Sequence, residues 1–339
     1  MEIKQNYSLR KHNTFGIDAQ ADWFISYRSL EDLHLLARDE YFQECCCVTI
    51  GEGSNLLFLT NFHGIILFSE LKTIELLGED DSHVDYLVGS GVHWDDFVQQ
   101  MTDLGLGGIE NLSLIPGQVG AAAIQNIGAY GVEVCQRIQA VHTFHRRTAE
   151  ERVFSVDECA YAYRHSIFKE PGYEDYIITH VHLRLDKKPS LQLDYADLRE
   201  RITQRYATPT PADVRREVIS IREAKLPDPK VIGSAGSFFM NPVVEASVFE
   251  ALHEQYPNAP HYPQPDGRVK VPAGWLIDTC GLKGYRLGHA GVYERQALVL
   301  INADGQATGQ DIANLAEYIQ QQVQARFGIH LEPEVRYIV

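Results

Sequence analysis

Two glycine-rich stretches of this 339-residue chain have the residue types and spacing to close a backbone around a phosphate. The first, Gly51-Glu52-Gly53-Ser54-Asn55-Leu56, begins like the dinucleotide fingerprint. That fingerprint needs a small residue at its sixth position and a helix after it. Leu56 and an apolar strand stand there instead, so a Rossmann site is excluded. What remains is a turn tolerant of positive φ, either a hairpin or an anion-binding nest of backbone N–H groups. The second stretch runs Gly107-Gly108-Ile109-Glu110-Asn111-Leu112, then Ile115-Pro116-Gly117-Gln118-Val119-Gly120-Ala121-Ala122-Ala123, then Gln125-Asn126-Ile127-Gly128-Ala129-Tyr130-Gly131. Small side chains let a backbone approach a pyrophosphate, and a glycine loop entering a short Ala-rich helix presents free N–H groups. Tight helix packing or an Ala-lined bend would use the same residues.

Other reactive types are less organised. The fourteen histidines form no HExxH spacing, and His180 with His182 on one strand face does not make a metal site. Cys45, Cys46, Cys47, Cys135, Cys159 and Cys280 form neither a CxxC pair nor a disulfide framework and read as reduced thiols. Arg222, Lys225 and Lys230 make an isolated basic run, either an anion contact or a solvated face.

The elements that must position these residues follow from periodicity. Residues 46–50, 56–59, 64–76, 139–145, 176–185 and 298–301 read as strands. Helical spacing covers 94–104, with Gly105 as its stop, and also 246–256 and 311–327, with Gly328 as cap. Between 186 and 230 the stretches Lys187-Lys188-Pro189, Thr208-Pro209-Thr210-Pro211 and Leu226-Pro227-Asp228-Pro229 read as linkers. The alternation predicts an α+β fold.

Composition narrows the partners. With 46 acidic against 30 basic residues, the net charge of −16 opposes a nucleic-acid partner, so an anionic ligand needs a locally basic pocket. The amino terminus lacks an apolar signal segment and no run of eighteen apolar residues occurs, which predicts a cytoplasmic protein without a membrane partner.

The ordered motifs GEGSNLLF, GGIENLSLIPGQVGAAAIQNIGAYGVEV, YRHSIFK, KLPDPK, GSAGSFFMNP, KVPAGWLID, LKGYRLG and LEPEVR resemble the UDP-N-acetylenolpyruvoylglucosamine reductase family over nearly the whole chain. The segment Leu193-Asp194-Tyr195-Ala196-Asp197-Leu198 resembles its longer (type I) branch. The resemblance implies a vanillyl-alcohol-oxidase-type FAD-binding fold of two lobes, residues 1–70 and 71–219, plus an α+β substrate-binding domain, 220–328, with 329–339 returning to the first lobe. It also implies non-covalent FAD, NADPH as hydride donor, UDP-N-acetylglucosamine enolpyruvate as substrate, and a monomer. One departure is Met240, where many relatives carry Lys, which puts a charge at that point in doubt.

The same resemblance nominates Arg164, Ser237 and Glu334 as catalytic. Hydride addition at C3 of the enolpyruvyl ether pushes charge through C2 into the carboxylate, so donors and one proton are needed. Arg164 offers a permanently charged fork for a carboxylate. Ser237 would supply the C2 proton, and Glu334 helps only if protonated or if it orients another group. Cofactor contacts fall on Gly51, Gly53, Ser54, Asn55, Leu56, Asn111, Pro116, Gly117, Gly120, Ala121, Gln125, Asn126, Gly128 and Tyr163. Substrate contacts fall on Tyr130, Tyr195, Lys225, Asn241, Tyr262, Lys270 and Gln296, with Lys225 and Asn241 near the diphosphate. An FAD oxidase of the same architecture would need no contact of the Lys225 kind. A nucleotide-sugar sensor would need none of Arg164, Ser237 and Glu334.

Overall fold

Alternating burial along Tyr176–Asp186 turns Val181, Leu183 and Leu185 inward, the pattern of a strand with one wet face. A computed structural model describes residues 1–195 and 197–339; Ala196, within the Leu193–Leu198 segment, lies outside the described residues. Tyr176–Asp186 is the middle of a five-stranded antiparallel sheet, flanked by Ile138–His145 and His83–Gly89, with Glu151–Ser155 and Ile74–Glu79 at the edges. Helices Trp94–Asp103 and Val119–Gln125 supply Trp94, Phe97, Val98, Met101, Ala122 and Ala123 to the core on its inner face. A second sheet runs in the order Glu2–Ser8, Gln20–Tyr27, Phe62–Ser69, Cys47–Ile50, the last two parallel. The expected strand 64–76 is thus two strands, Phe62–Ser69 and Ile74–Glu79, in different sheets.

The described residues form two compact units. The first comprises residues 1–7, 21–52 and 63–224; the second comprises 8–20, 53–62 and 225–339. This division cuts differently from the three expected blocks, because pairing across long sequence separations decides it. Leu56–Phe58 pairs in parallel with Arg336–Ile338 and so travels with the carboxy-terminal part. In the second unit the strands Gly233–Ser237, Val299–Asn302, Ala290–Val292 and Arg286–Leu287 form one sheet. Helix Gly309–Phe327 packs on it through Ile312, Leu315, Ala316, Ile319 and Val323. Thr308 and Asp311 form a capping box at its start, and Gly328, left-handed at φ 67°, ends it.

The proline-marked region 186–230 is not all linker. It contains helices Leu198–Arg205 and Pro211–Lys225, whose Leu198, Ile202, Val214, Val218 and Ile221 form a small core of their own. Pro211 opens the second helix at the position where a missing N–H costs nothing. No helix among the described residues is long and apolar enough to cross a membrane.

Candidate functional site

In the first unit the opening Gly51-Glu52 of the first glycine stretch meets the second stretch. Glu52 accepts the Gly117 N–H at 3.0 Å, and a Cβ on Gly51 would lie 3.3 Å from Ala121 Cβ. The short Ala-rich helix forms as expected, but its first N–H groups are not free for a ligand. Val119 and Gly120 donate to the carbonyls of Val92 and Ser90 at 2.9 and 3.0 Å. Gly120 is small because a Cβ there would sit 2.7 Å from Ser90 Cβ, which is the packing explanation of its type. Gly107 and Gly108 are likewise packed, against Pro189 and Arg137.

Downstream, Gly128–Ala129 and Val132–Glu133 form a tight hairpin with Tyr130 and Gly131 at φ 49° and 81°, the signs of a type I′ turn. Asn126, fully buried and left-handed, ends the helix and donates to Glu133 and the Ala162 carbonyl at 2.9 and 2.8 Å, while its Oδ1 receives the Cys135 N–H. Its side chain is therefore committed to protein, and it sets the segment that carries Tyr163 and Arg164. Arg164, at φ 55°, donates to the Gly128 carbonyl at 2.9 Å, with its guanidinium 5.8 Å from the Tyr163 ring. Lys169 bonds both the Arg164 carbonyl and Gln125 Oε1, which ties Gln125 to the same corner. Asn111 donates to the carbonyls of Tyr130 and Gln192, both at 2.9 Å, and keeps a buried Oδ1 without a partner. Pro116 lies exposed in the loop before Gly117. Tyr195 meets Tyr130 edge to face at 5.6 Å.

Arg222 departs from the solvated-face reading. Its Nη2 donates to the Leu114 carbonyl at 3.3 Å and its Nε is shielded without a partner. Desolvation lowers its pKa, opposed by the charges of Tyr130 and Asp95. Lys230 is exposed, as that reading expects, and Lys225, the diphosphate candidate, is exposed too.

In the second unit Ser237 ends strand Gly233–Ser237. Its pairing with Val299–Asn302 slips between Ser234 and Ser237, where Gly236 stands at φ 67°, and such a bulge re-aims the next side chain. Glu334 lies beside it: the Glu334 N–H donates to the Phe238 carbonyl at 2.8 Å, and Phe239 bridges Pro333. Met240 N–H bonds the Glu332 carbonyl at 2.9 Å. Gly53, at φ 66°, leaves no room for a Cβ, which would meet the His12 carbonyl at 2.1 Å; Ser54 and Asn55 follow it into strand Leu56–Phe58. Asn241 Oδ1 accepts the Ala273 N–H at 2.9 Å at the start of helix Ala273–Thr279. Gln296 Oε1 reaches the same helix, 3.1 Å from where a Cβ of Gly274 would be, and Tyr262 pairs with Lys270 across adjacent strands. The nominated residues therefore fall into a group in each unit, with Arg164, Tyr130 and Tyr195 in the first and Ser237, Glu334, Asn241, Tyr262, Lys270, Gln296 and Lys225 in the second.

Comparison with known proteins decides what this arrangement belongs to. Residues 21–146 match an FAD binding domain, and residues 228–338 match the UDP-N-acetylenolpyruvoylglucosamine reductase C-terminal domain. A UDP-N-acetylenolpyruvoylglucosamine reductase of Porphyromonas gingivalis is 57% identical over 339 residues, covering 100% of both chains. One of Bacteroides fragilis is 47% identical, covering 99% of this chain and 100% of the relative. The chain belongs to the UDP-N-acetylenolpyruvoylglucosamine reductase family. A crystal structure of the reductase from Thermus caldophilus is 27% identical, with a TM-score of 0.68 over 100% of this chain and 98% of that one.

As a member of the reductase family the chain is an FAD-dependent oxidoreductase, and its fold is the FAD-binding α+β class expected from the sequence. The residues present fit that cofactor. Among the described residues of the first unit, Asn111 Oδ1 and Arg222 Nε are shielded without a partner, the kind of buried polar atoms a bound polar group satisfies. Arg222, half-buried on the helix that ends at Lys225, fits the anion-contact alternative for the basic run.

Proposed function

We propose that the chain reduces UDP-N-acetylglucosamine enolpyruvate to UDP-N-acetylmuramate at the expense of NADPH, acting as a cytoplasmic monomer in peptidoglycan precursor synthesis. Bound FAD would supply the hydride chemistry, linking oxidation of NADPH to reduction at C3 of the enolpyruvyl ether. The observation that carries the reading is the hydrogen bond from Glu334 N–H to Phe238 O at 2.8 Å, which fixes the two residues of suitable chemistry, Ser237 and Glu334, on neighbouring backbone.

Ser237 Oγ–H gives its proton to C2 of the substrate, whose developing carbanion is basic enough to take it from a hydroxyl. Arg164 holds the substrate carboxylate, and its own bond to Gly128 O keeps one side of the fork anchored. Glu334 acts in its protonated form or by orienting another group near that carboxylate. By the family resemblance Lys225 and Asn241 serve the diphosphate, Tyr130 and Tyr195 are further substrate contacts, and Tyr262, Lys270 and Gln296 complete the nucleotide contacts. Gly51, Gly53, Ser54, Asn55, Leu56, Asn111, Pro116, Gly117, Ala121, Gln125, Gly128 and Tyr163 line the cofactor, while Gly120 and Asn126 shape that lining from behind.

The test is the visible spectrum of the purified holoenzyme under anaerobic conditions. NADPH should bleach the flavin absorbance, and the enolpyruvyl substrate should restore it. A bleached protein that recovers only with oxygen would overturn the reading in favour of an oxidase.

A further inference from the structure

Glu334 is held through its backbone from two sides. Its N–H donates to Phe238 O at 2.8 Å, one residue beyond Ser237, and its carbonyl accepts from Asn55 Nδ2 at 3.1 Å. Asn55 also contributes its own carbonyl, which receives the Arg336 N–H at 3.0 Å at the opening of the parallel pairing of Leu56–Phe58 with Arg336–Ile338. That second bond is between backbones and does not need the Asn side chain. Strand register is therefore set without the side-chain amide, whose bond to residue 334 is a separate contact.

The amide matters because of what precedes it in the chain. Residues 332–334 run along Phe238–Met240 by the bonds Met240 N–H to Glu332 O and Glu334 N–H to Phe238 O, and the ladder then leaves those residues and passes to Leu56–Phe58. Glu334 stands at this change of partner. The peptide that follows it has its N–H on Val335, while its carbonyl is the group that Asn55 Nδ2 takes. With the N–H on one side and the carbonyl on the other both fixed, the Cα from which the carboxyl group hangs keeps one position relative to Ser237.

We propose that Asn55 is a positioning residue for the Glu334 carboxyl group, acting through the Glu334 carbonyl, a role that rests on the assignment of Glu334 above. Any contact that Asn55 makes to the cofactor through its backbone is a different matter and survives truncation of the side chain. A misplacement of about 1 Å in a reacting group costs roughly 10²-fold in rate, which sets the scale of the effect.

The experiment compares Asn55→Ala and the isosteric Asn55→Asp, each alone and combined with Glu334→Gln, as holoenzymes. Flavin per chain is read from absorbance, and the two half-reactions are followed separately by stopped flow, with NADPH and then with the enolpyruvyl substrate over a range of pH. Per flavin bound, both Asn55 variants should lose roughly 10–100-fold in reoxidation by substrate, with a changed pH profile, and far less in reduction by NADPH. In the Glu334→Gln background the same substitutions should add little, because coupled residues are not additive. An equal further loss in that background, or a parallel fall of flavin content and both half-reactions, would overturn the proposal. If Glu334→Gln slows reoxidation and the Asn55 variants do not, the positioning role alone fails. If Glu334→Gln reoxidises at the wild-type rate, the assignment of Glu334 fails and takes the proposal with it.

Discussion

A serine hydroxyl is a weak acid in water, so proton delivery from Ser237 depends on where its Oγ is held. The irregular pairing at Gly236 and the burial of Phe238 and Phe239, the next two residues, set the backbone from which it projects. Ser237→Ala should therefore keep FAD and accept hydride from NADPH at near the normal rate, then stall with substrate by about 10²–10⁴-fold. Ser237→Cys should recover part of the loss, since a thiol is a stronger acid of similar size. Fast reoxidation of Ser237→Ala in stopped flow would assign the proton to water or to another residue. At the diphosphate the expected losses differ in size. Removing a charge-assisted contact costs about 1.5–3 kcal/mol, so Lys225→Ala should raise KM strongly while reduction by NADPH continues. Tyr195→Phe should do less, because the edge-to-face contact with Tyr130 survives loss of the hydroxyl. Equal damage by both variants to both half-reactions would contradict these roles.

At the scale of elements, the glycine turn is shaped by neighbours of the fold as much as by any ligand. Gly53→Ala must place a Cβ 2.1 Å from the His12 carbonyl at φ 66°, whereas Gly267, at φ 86°, has open space around it. The left-handed conformation alone costs about 1–2 kcal/mol for a residue with a Cβ. Thermal melts should show that modest loss for Gly267→Ala and a much larger one for Gly53→Ala. A pH effect belongs to the same turn. The hydrogen bond to Glu52, at 3.1 Å, raises the His93 pKa above the ordinary 6.5, and burial opposes it. Protonated His93 is thus favoured in the folded state. Its contribution is full below about pH 6.5 and fades as pH rises through the raised value. Denaturant titrations should find wild type ahead of His93→Gln on the acid side and level with it on the alkaline side. A gap independent of pH would mean that the ion pair contributes nothing.

Periodicity made the long elements legible. Trp94–Asp103, Tyr176–Asp186 and Gly309–Phe327 end within a few residues of their expected bounds, because their apolar residues repeat at one period and Gly105 and Gly328 stop the helices. The helices at 198–225 were hidden by prolines and by charge. Glu217, almost wholly buried, is matched there by Arg205 at 2.8 Å, a long-side-chain pairing that a hydropathy pattern reads as a polar surface. Candidate site residues were legible as motif members, but the contacts that hold them were not. Nothing in the string Gln125-Asn126-Ile127 says that Asn126 turns inward to hold Ala162, since that partner is 36 residues away.

At the scale of the whole molecule, the cofactor should come away from the protein intact. Covalent members of this architecture attach flavin through a histidine or cysteine near their glycine loops, and residues 107–131 contain neither. Acid precipitation should leave the yellow colour in the supernatant, and colour retained by the pellet would show a covalent bond.

The pairing of Leu56–Phe58 with Arg336–Ile338 also has a consequence for biosynthesis. Asn55 and Glu334, at the head of that pairing, are 279 residues apart. A ribosome adding roughly 5–20 residues per second needs on the order of 14–56 s to cover that distance. Throughout that interval Leu57 and Phe58, fully buried in the finished protein, have no strand to join. An apolar segment waiting that long is a natural client for a chaperone, and the emergence of Arg336–Ile338, rather than folding of any earlier part, becomes the event that gives Leu56–Phe58 its partner.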